Sequence, residues 1–569
     1  MGCVRPPATI AVLIALTLVA GCSRSTTLTP AGRNASASAS SSPSQPSDPA
    51  ARAAALVARF SDADLVGQVL MPFAYGADAG KVSAEAVAAN RKYAGVDTPA
   101  AMVQKYRLGG LILMNQAAAD PTASTNKTTN IVSAAQVRTL TDGLQAVATK
   151  LPGSAPMLIG TDQEYGVVNR LRDGITQLPS ASAFGAAGDP ALTRQAWTAA
   201  GADLRAIGIN VDLAPDADVI GQGDGVIGSR SYGSDPKAVS DQVAAAVQGL
   251  RDAGVAATLK HFPGHGHTSG DSHTELPVLN QSADALATGD LPPFTAGIGA
   301  GADLVMSGHL DVRAIDPGVP ASFSSKALID LLRGRLGFKG VVVSDALNMA
   351  PAEKYAPGEA AVRALVAGND LLLMPPDLAA AQAGLLDGLH SGQLPRQRLV
   401  EAATRVLTLR LTLGGRPQPG MAGVNGADRQ AAAAKVAAAA VTVLRGGCQG
   451  ALVRGPVTVT SSNGRDPQRA WLTDALRARH VTVVPSGGTE VRLVGYGDAG
   501  ADLDSSAAVT VAMDLPLILG QSASPVLLAT YSSTKVSMDA LADVLAGAAP
   551  APGRSPIEVP GLPRSACVA

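Results

Sequence analysis

At 569 residues the chain exceeds what one hydrophobic core usually organises, so two folded domains, one of them large, are expected. Hydrophobic residues make up 46% and charged residues 16%, which excludes a mainly disordered chain. Lys plus Arg number 45 against 46 for Asp plus Glu, leaving a net charge of −1 and no basic stripe for a nucleic-acid partner.

The N-terminus reads as an address rather than as structure. Arg5 precedes an apolar run, Ala8 to Ala20, that is short for a bilayer span. Its end, Val19-Ala20-Gly21-Cys22, resembles a bacterial lipobox, which predicts removal of residues 1–21 as a lipoprotein signal peptide and lipidation of Cys22. An ordinary signal peptide with a chance cysteine is the alternative. Residues 22–50 are rich in Ser, Ala, Pro and Thr with few charges, and are expected to form a disordered tether. Export, with a lipid anchor holding the protein at the outer face of the cell membrane, follows as an expectation. In such an oxidising compartment the remaining thiols, Cys448 and Cys567, can pair, which ties the C-terminus to the start of the last domain.

Apolar runs rich in β-branched residues predict strands at 69–73, 110–114, 157–162, 210–214, 255–261, 303–307, 340–345 and 370–374. Ala-rich amphipathic stretches such as 241–253 and 325–336 lie between them. Continuous apolar strands alternating with helices imply a parallel sheet. Eight such units over residues 51–415 fit a (β/α)8, TIM-like barrel better than an open doubly wound sheet. A Gly- and Pro-rich break then marks a linker at 416–428. A helix at 429–440 and strand-like runs at 441–444, 457–461, 481–484, 491–495, 508–513 and 526–529 predict a smaller α/β sandwich domain over 429–569. It shows neither a Gly-rich phosphate loop nor a catalytic cluster.

Unusual polar residues collect at the C-terminal ends of the barrel strands. Asp162 ends one, Lys260 and His261 end another, His309 follows a third and Asp345 ends a fourth. Barrel enzymes assemble their active sites at that face. The densest segment is Lys260-His261-Phe262-Pro263-Gly264-His265-Gly266 followed by Asp271-Ser272-His273, so four of the seven histidines fall within fourteen residues. A metal site and a purely structural His-rich loop are both open readings, but the spacing fits no zinc motif and Lys260 brings a cation close. No metal or organic cofactor is expected. Asp271 and His273 are two apart, so a turn can place the carboxylate on one ring nitrogen, orienting the ring and favouring its cationic form.

This segment resembles the signature of the β-N-acetylglucosaminidases of glycoside hydrolase family 3. Gly160-Thr161-Asp162-Gln163-Glu164 with Asn169-Arg170-Leu171, Ser229-Arg230-Ser231-Tyr232-Gly233, and Val343-Ser344-Asp345-Ala346-Leu347-Asn348-Met349 resemble three further family segments in the right order. The resemblance implies a catalytic barrel followed by an α/β sandwich, with Asp345 as nucleophile, His273 as general acid/base and Asp271 as its orienting partner. It implies that Asp162, Arg170, Arg230, Lys260 and His261 bind sugar hydroxyls. His265 and His309 receive no catalytic role. One departure stands out: where the family reads Asp-Gln-Glu-Gly-Gly-Arg, this chain has Tyr165 and Val167, which puts the pocket wall in question.

The function so implied is exo-acting, retaining removal of terminal N-acetylglucosamine from peptidoglycan-derived fragments or muropeptides. A β-glucosidase or broad β-glycosidase of the same family, and a phosphorylase that uses phosphate in place of water, are the enzyme alternatives. A non-catalytic envelope-binding lipoprotein is the alternative of another class. Only 3% of residues are aromatic, which disfavours a long cleft lined with sugar platforms and favours a small pocket gripping one terminal sugar.

Overall fold

The computed structural model describes residues 48–115, 130–221, 225–268, 270–462 and 464–567. Cys22, the leader and nearly all of the expected tether lie outside the described residues. The first helix, Pro49–Val57, begins two residues inside the range expected for the tether, because Asp48 caps it through the Ala51 amide and Pro49 suits the first turn. Among the described residues no helix is long and apolar enough to cross a membrane.

All eight barrel strands form where the apolar runs stand: β1 (Leu70–Met71), β2 (Gly110–Ile112), β3 (Leu158–Thr161), β4 (Val211–Asp212), β5 (Ala256–Phe262), β6 (Leu304–Ser307), β7 (Val341–Ser344) and β8 (Leu372–Leu373). From β2 to β7 they pair in parallel in chain order. The ring closes through β8, which pairs in parallel with β1, while Leu371 bridges Val343 of β7. On the other side the Ile112 amide donates to the Pro72 carbonyl at 3.0 Å. Every residue of these strands is buried, which is why their sequences are largely apolar rather than alternating, with the charged residues confined to their C-terminal parts. Several ladders are shorter than the runs that announced them, β1, β4 and β8 being two residues each.

Helices follow the strands around the outside. Pro236–Asp252 starts at an Asp235 cap on the Ala238 amide and packs along Pro190–Ala206. Close approach there depends on Gly249, where a Cβ would meet the Arg194 carbonyl oxygen and the Trp197 Cβ at 2.7 Å. The stretch expected as a helix at 325–336 is helical over Lys326–Arg335, with π-type rather than α-type hydrogen bonding.

The second domain is a five-stranded sheet of β9 (Thr442–Arg445), β10 (Val457–Ser461), β11 (Thr489–Val494), β12 (Val509–Ala512) and β13 (Val526–Ala529), in the order β9-β13-β12-β11-β10. Only β9 runs antiparallel to its neighbour. The strand expected at 481–484 is not one: the segment meets β10 through a single Val457–Val483 bridge and leads directly into Pro485, which has no amide to extend a ladder. A disulfide joins Cys448 to Cys567, with Cα atoms 5.3 Å apart.

The two domains are docked by polar as well as apolar contacts. Ala427–Ala440, which includes the last two residues of the expected linker, lies against Pro190–Ala206. Asp203 on the barrel helix is fully buried; it pairs with Arg429 and accepts from the Asn425 amide at 3.1 Å and the Thr176 amide at 2.7 Å. Near the C-terminus, the Ser234 amide donates to the Pro556 carbonyl at 3.1 Å.

Candidate active site

The C-terminal end of β3 runs straight into a hairpin, Gln163–Tyr165 against Val168–Asn169. Alternation along its first arm places Asp162 and Glu164 on one side, and the return arm brings back Arg170. Lys260, at the end of β5, reaches across to both acids: its Nζ lies 3.1 Å from Asp162 Oδ1 and 2.6 Å from Glu164 Oε1. Arg170 Nη2 stands 3.5 Å from the other Asp162 oxygen. Arg230, from the loop after β4, grips Glu164 through two nitrogens at 2.6 and 2.9 Å, and its Nε lies 3.2 Å from Asp216.

These side chains are largely buried, so their charges are set by one another. Burial alone pushes the Glu164 carboxyl up, but Arg230 and Lys260 overcome it and hold Glu164 ionised, well below the usual carboxylate range. Burial works against the Lys260 ammonium too, yet Glu164 and Asp162 raise it above its ordinary value. Asp216 goes the other way: burial dominates and raises it despite Arg230.

His261 is fixed from behind. Its Nδ1 lies 2.8 Å from Asp218 Oδ2, which leaves Nε2 beside Arg230 Nη2 at 3.3 Å. Burial lowers the imidazole, but the Asp218 carboxylate more than offsets this and raises it above 6.5. Asp218 Oδ1 also accepts the amides of His261 at 3.1 Å and His265 at 2.7 Å, so one buried carboxylate holds both the strand end and the root of the following loop. Gly266 lets that loop pass the Val219 carbonyl, where a Cβ would sit 2.0 Å from the oxygen.

Along the loop, His265 is enclosed by Thr268 Oγ1 at 2.6 Å and Ser272 Oγ at 3.2 Å, and burial followed by the His261 charge lowers it to about 4. His267 bonds Asp290 at 2.8 Å. His273 Nδ1 lies 2.6 Å from Asp271 Oδ1, and its amide donates to the same oxygen at 2.9 Å. Partial burial raises the Asp271 carboxyl, but the hydrogen bonds from His273 outweigh that and lower it.

Asp345 directly follows β7, with its amide donating to the Ser307 carbonyl at 2.9 Å and its Oδ1 accepting from the Ala346 amide at 2.8 Å. It is only 8% exposed. Burial raises its carboxyl, but His261, His309, the Ala346 amide and His273 together bring it below 3.8, so it is a carboxylate at neutral pH. His309 donates from Nε2 to the Ala346 carbonyl at 3.0 Å and contacts Ser322 through Nδ1 at 2.6 Å, which fits a structural role beside Asp345.

One pocket gathers Asp162, Arg170, Arg230, Lys260, His261, His273 and Asp345. Of the catalytic and sugar-binding residues expected from the sequence, only Asp271 does not line it; it is bonded to His273, which does. The residues missed are Glu164, Asp216 and Asp218, the buried acids beneath the cations. Each is two positions from another acid, Asp162–Glu164 and Asp216–Asp218, a spacing that puts pairs on one face of an extended segment. Among the described residues, Asp216, Asp218 and His261 come close enough to share a cation. That donor set does not suit a metal: His261 Nδ1 is taken by Asp218, and Arg230 already neutralises Asp216.

Tyr165, the departure noted in the sequence, sits at the hairpin turn with φ 65°. Its ring points away from the pocket into the core, packing edge-on to Trp197 with centroids 5.6 Å apart. The pocket wall on this side is Val168 instead.

Buried acids and cations beside an ionised carboxylate, gathered at the strand ends of a parallel barrel, fit one class: a glycoside hydrolase on a (β/α)8 scaffold. More narrowly, the chain belongs to glycosyl hydrolase family 3, whose N-terminal domain matches residues 71–409. It is 42% identical over 253 residues to a β-hexosaminidase of Stenotrophomonas maltophilia (strain K279a), an alignment covering 43% of this chain and 73% of the relative. A family 3 β-N-acetylglucosaminidase from Paenibacillus sp. str. FPU-7 superposes with a TM-score of 0.76 at 30% identity, over 88% of this chain and 99% of that one. A β-N-acetylhexosaminidase from Beutenbergia cavernae superposes with a TM-score of 0.52 at 30% identity, over 62% of this chain and 99% of its own.

Proposed function

We propose that this glycoside hydrolase is an exo-acting, retaining β-N-acetylglucosaminidase that removes terminal N-acetylglucosamine from peptidoglycan-derived fragments. The observation that carries the reading is the meeting of the ionised Asp345 and the Asp271-held His273 in one pocket floored by Asp162, Lys260, Glu164 and Arg230. The β-hexosaminidase and β-N-acetylglucosaminidase relatives support the sugar. So does an apolar flank of Met114, Met306, Met349 and Met374, adaptable side chains suited to an acetamide methyl.

In the first step His273, with Nδ1 occupied by Asp271, gives a proton from Nε2 to the glycosidic oxygen. Asp345 attacks the anomeric carbon, the C–O bond to the leaving group breaks, and an ester to Asp345 forms. In the second step neutral His273 takes a proton from water, whose oxygen attacks the same carbon and releases both sugar and carboxylate. The Asp162–Lys260 and Glu164–Arg230 pairs hold the sugar hydroxyls in place, positioning that is worth a large part of the barrier. An imidazole in place of a second carboxylate repels no anion, so phosphate is a chemically competent acceptor in the second step.

The lipobox-like sequence ending at Cys22 supports extending this proposal to the outer face of the membrane, where wall fragments occur. The test is turnover of aryl β-N-acetylglucosaminide against aryl β-glucoside, each with and without phosphate. Preference for the N-acetylated substrate is expected. Preference for the glucoside overturns the substrate, and sugar 1-phosphate formed only with phosphate present overturns hydrolysis. Radiolabelled palmitate on the wild type but not on Cys22→Ala is the expected sign of the anchor.

A further inference from the structure

The hairpin that walls the active-site pocket has a second side. Val168 and Arg170 turn into the pocket, whereas Asn169 between them turns outward, into a separate cleft of about 550 Å3. This cleft lies between the barrel and the second domain, the kind of place where small-ligand sites occur, and its volume falls in their usual range. Nothing in the mechanism above uses it.

Its lining is unusual for this chain. One of only two tryptophans, Trp471, faces it from the helix Asp466–Ala478, half-buried, whereas Trp197 is 2% exposed in the core. Four side-chain amides line the cleft: Asn169 and Gln177 are bonded to one another at 2.7 Å and Gln430 to the Asn425 carbonyl at 2.9 Å, whereas Gln468 is held only through Nε2, 3.4 Å from the Ser533 carbonyl. Gln468 Oε1 is buried without a hydrogen-bond partner among the described residues, an acceptor whose desolvation is uncompensated until a donor arrives. An amide offers a donor and an acceptor side by side, which matches neighbouring hydroxyls on a sugar ring, and an indole face matches the ring's C–H surface. The charges argue for a neutral ligand. Arg172 and Asp173 are adjacent, and Lys535 is already paired with Asp539 at 2.8 Å.

We propose that this cleft is a second, non-catalytic saccharide site that holds a neutral oligosaccharide of N-acetylated sugars against Trp471 and Gln468. The choice of N-acetylated sugar rests on the activity proposed above; the existence of the site does not.

Tryptophan fluorescence tests it, because Trp471 alone of the two indoles can touch a ligand. Asp345→Ala protein, shown not to consume the sugar, is titrated with tri-N-acetylchitotriose. A saturable change in emission is expected, and it is expected to vanish in Asp345→Ala/Trp471→Phe. Gln468→Ala in the same background keeps the reporter and should weaken binding about tenfold, the loss of one good hydrogen bond. With Asp345 intact, Trp471→Phe should turn over a small aryl glycoside within about twofold of the parent. No saturable change, or a change that survives Trp471→Phe, overturns the site. Saturation by cellotriose but not by chitotriose overturns the ligand. Failure of the parent to cleave aryl N-acetylglucosaminide strikes the activity alone and leaves the titration standing.

Discussion

The barrel carries buried clusters of acid and base at both ends, and they are built oppositely. At the N-terminal end, just before β8, the fully buried Asp370 accepts from Arg398 at 2.8 Å, Arg405 at 3.0 Å and the Val342 amide at 3.0 Å, and pairs with Arg333. One carboxylate is saturated by its neighbours, and no predicted site residue lies there. At the C-terminal end Asp162, Glu164, Asp216, Asp218 and Asp345 outnumber their cations, and several of them open onto a pocket. A carboxylate whose oxygens are all taken by neighbouring arginines and an amide ties helices to strands. A cluster that leaves polar atoms facing a cavity has something to hold. Composition cannot tell the two apart; the direction of the strand does.

The sharpest way to separate the two ends is to remove one acid from each. Asp345→Ala should lower kcat by at least about 10^4-fold, over 5 kcal/mol of barrier, since covalent and electrostatic help disappear together. Its thermal midpoint should stay close to that of the parent. Steady-state kinetics with an aryl glycoside, alongside calorimetry, reads both quantities. Asp370→Ala should do the reverse. Leaving three arginines without their carboxylate costs about 3–5 kcal/mol of stability, while kcat per folded molecule stays unchanged. If Asp370→Ala lost activity without losing stability, the division between the two ends would be wrong.

A third prediction concerns the loop between His261 and His273. His265 in the folded protein is lowered to about 4, because burial and the neighbouring His261 disfavour its charge. Its unfolded value is near 6.5. The folded state therefore binds fewer protons between these values, so the stabilisation is complete above about pH 6.5 and is lost as pH falls towards 4. Over that window about 3 kcal/mol is at stake. Urea unfolding at stepped pH should show the loss, and His265→Gln should flatten it. An equal slope in the variant would assign the acid sensitivity to another group.

Much of this architecture was legible because parallel strands, buried on both faces, are written as uninterrupted apolar runs. That is why 255–261 and 340–345 could be placed almost to the residue. The same signal misled at 481–484, where an apolar run before Pro485 makes one bridge and no strand. In the site, residues that face the pocket carried a motif, whereas Asp218 did not. Its importance comes from three bonds, to the His261 ring, the His261 amide and the His265 amide, that exist only once two loops meet. Glu164 was in view within a quoted segment, but its place under Lys260 and Arg230 depends on a strand end and a loop distant along the chain, Arg230 alone being 66 residues away. The outer cleft of Trp471 and Gln468 could not be read at all, since its walls come from both domains.

The smallest effect tests the hairpin that separates pocket from core. Tyr165 adopts a left-handed backbone that costs a non-glycine residue about 1–2 kcal/mol. It keeps the conformation because its ring is buried against Trp197, and a buried aromatic of that size is worth about 3–5 kcal/mol when deleted. Tyr165→Gly should therefore relax the backbone yet still lose about 2 kcal/mol net. The hydroxyl is a different matter. It is buried without a partner among the described residues, so it adds a desolvation penalty and returns nothing. Tyr165→Phe keeps the packing, removes that penalty and should raise stability by about 1 kcal/mol, with kcat and KM for an aryl glycoside unchanged. Denaturant midpoints of the two variants decide the matter. If the phenylalanine variant were the less stable, the hydroxyl would be bonded, and Tyr165 would belong to the polar network of the active-site end rather than to the apolar core behind it.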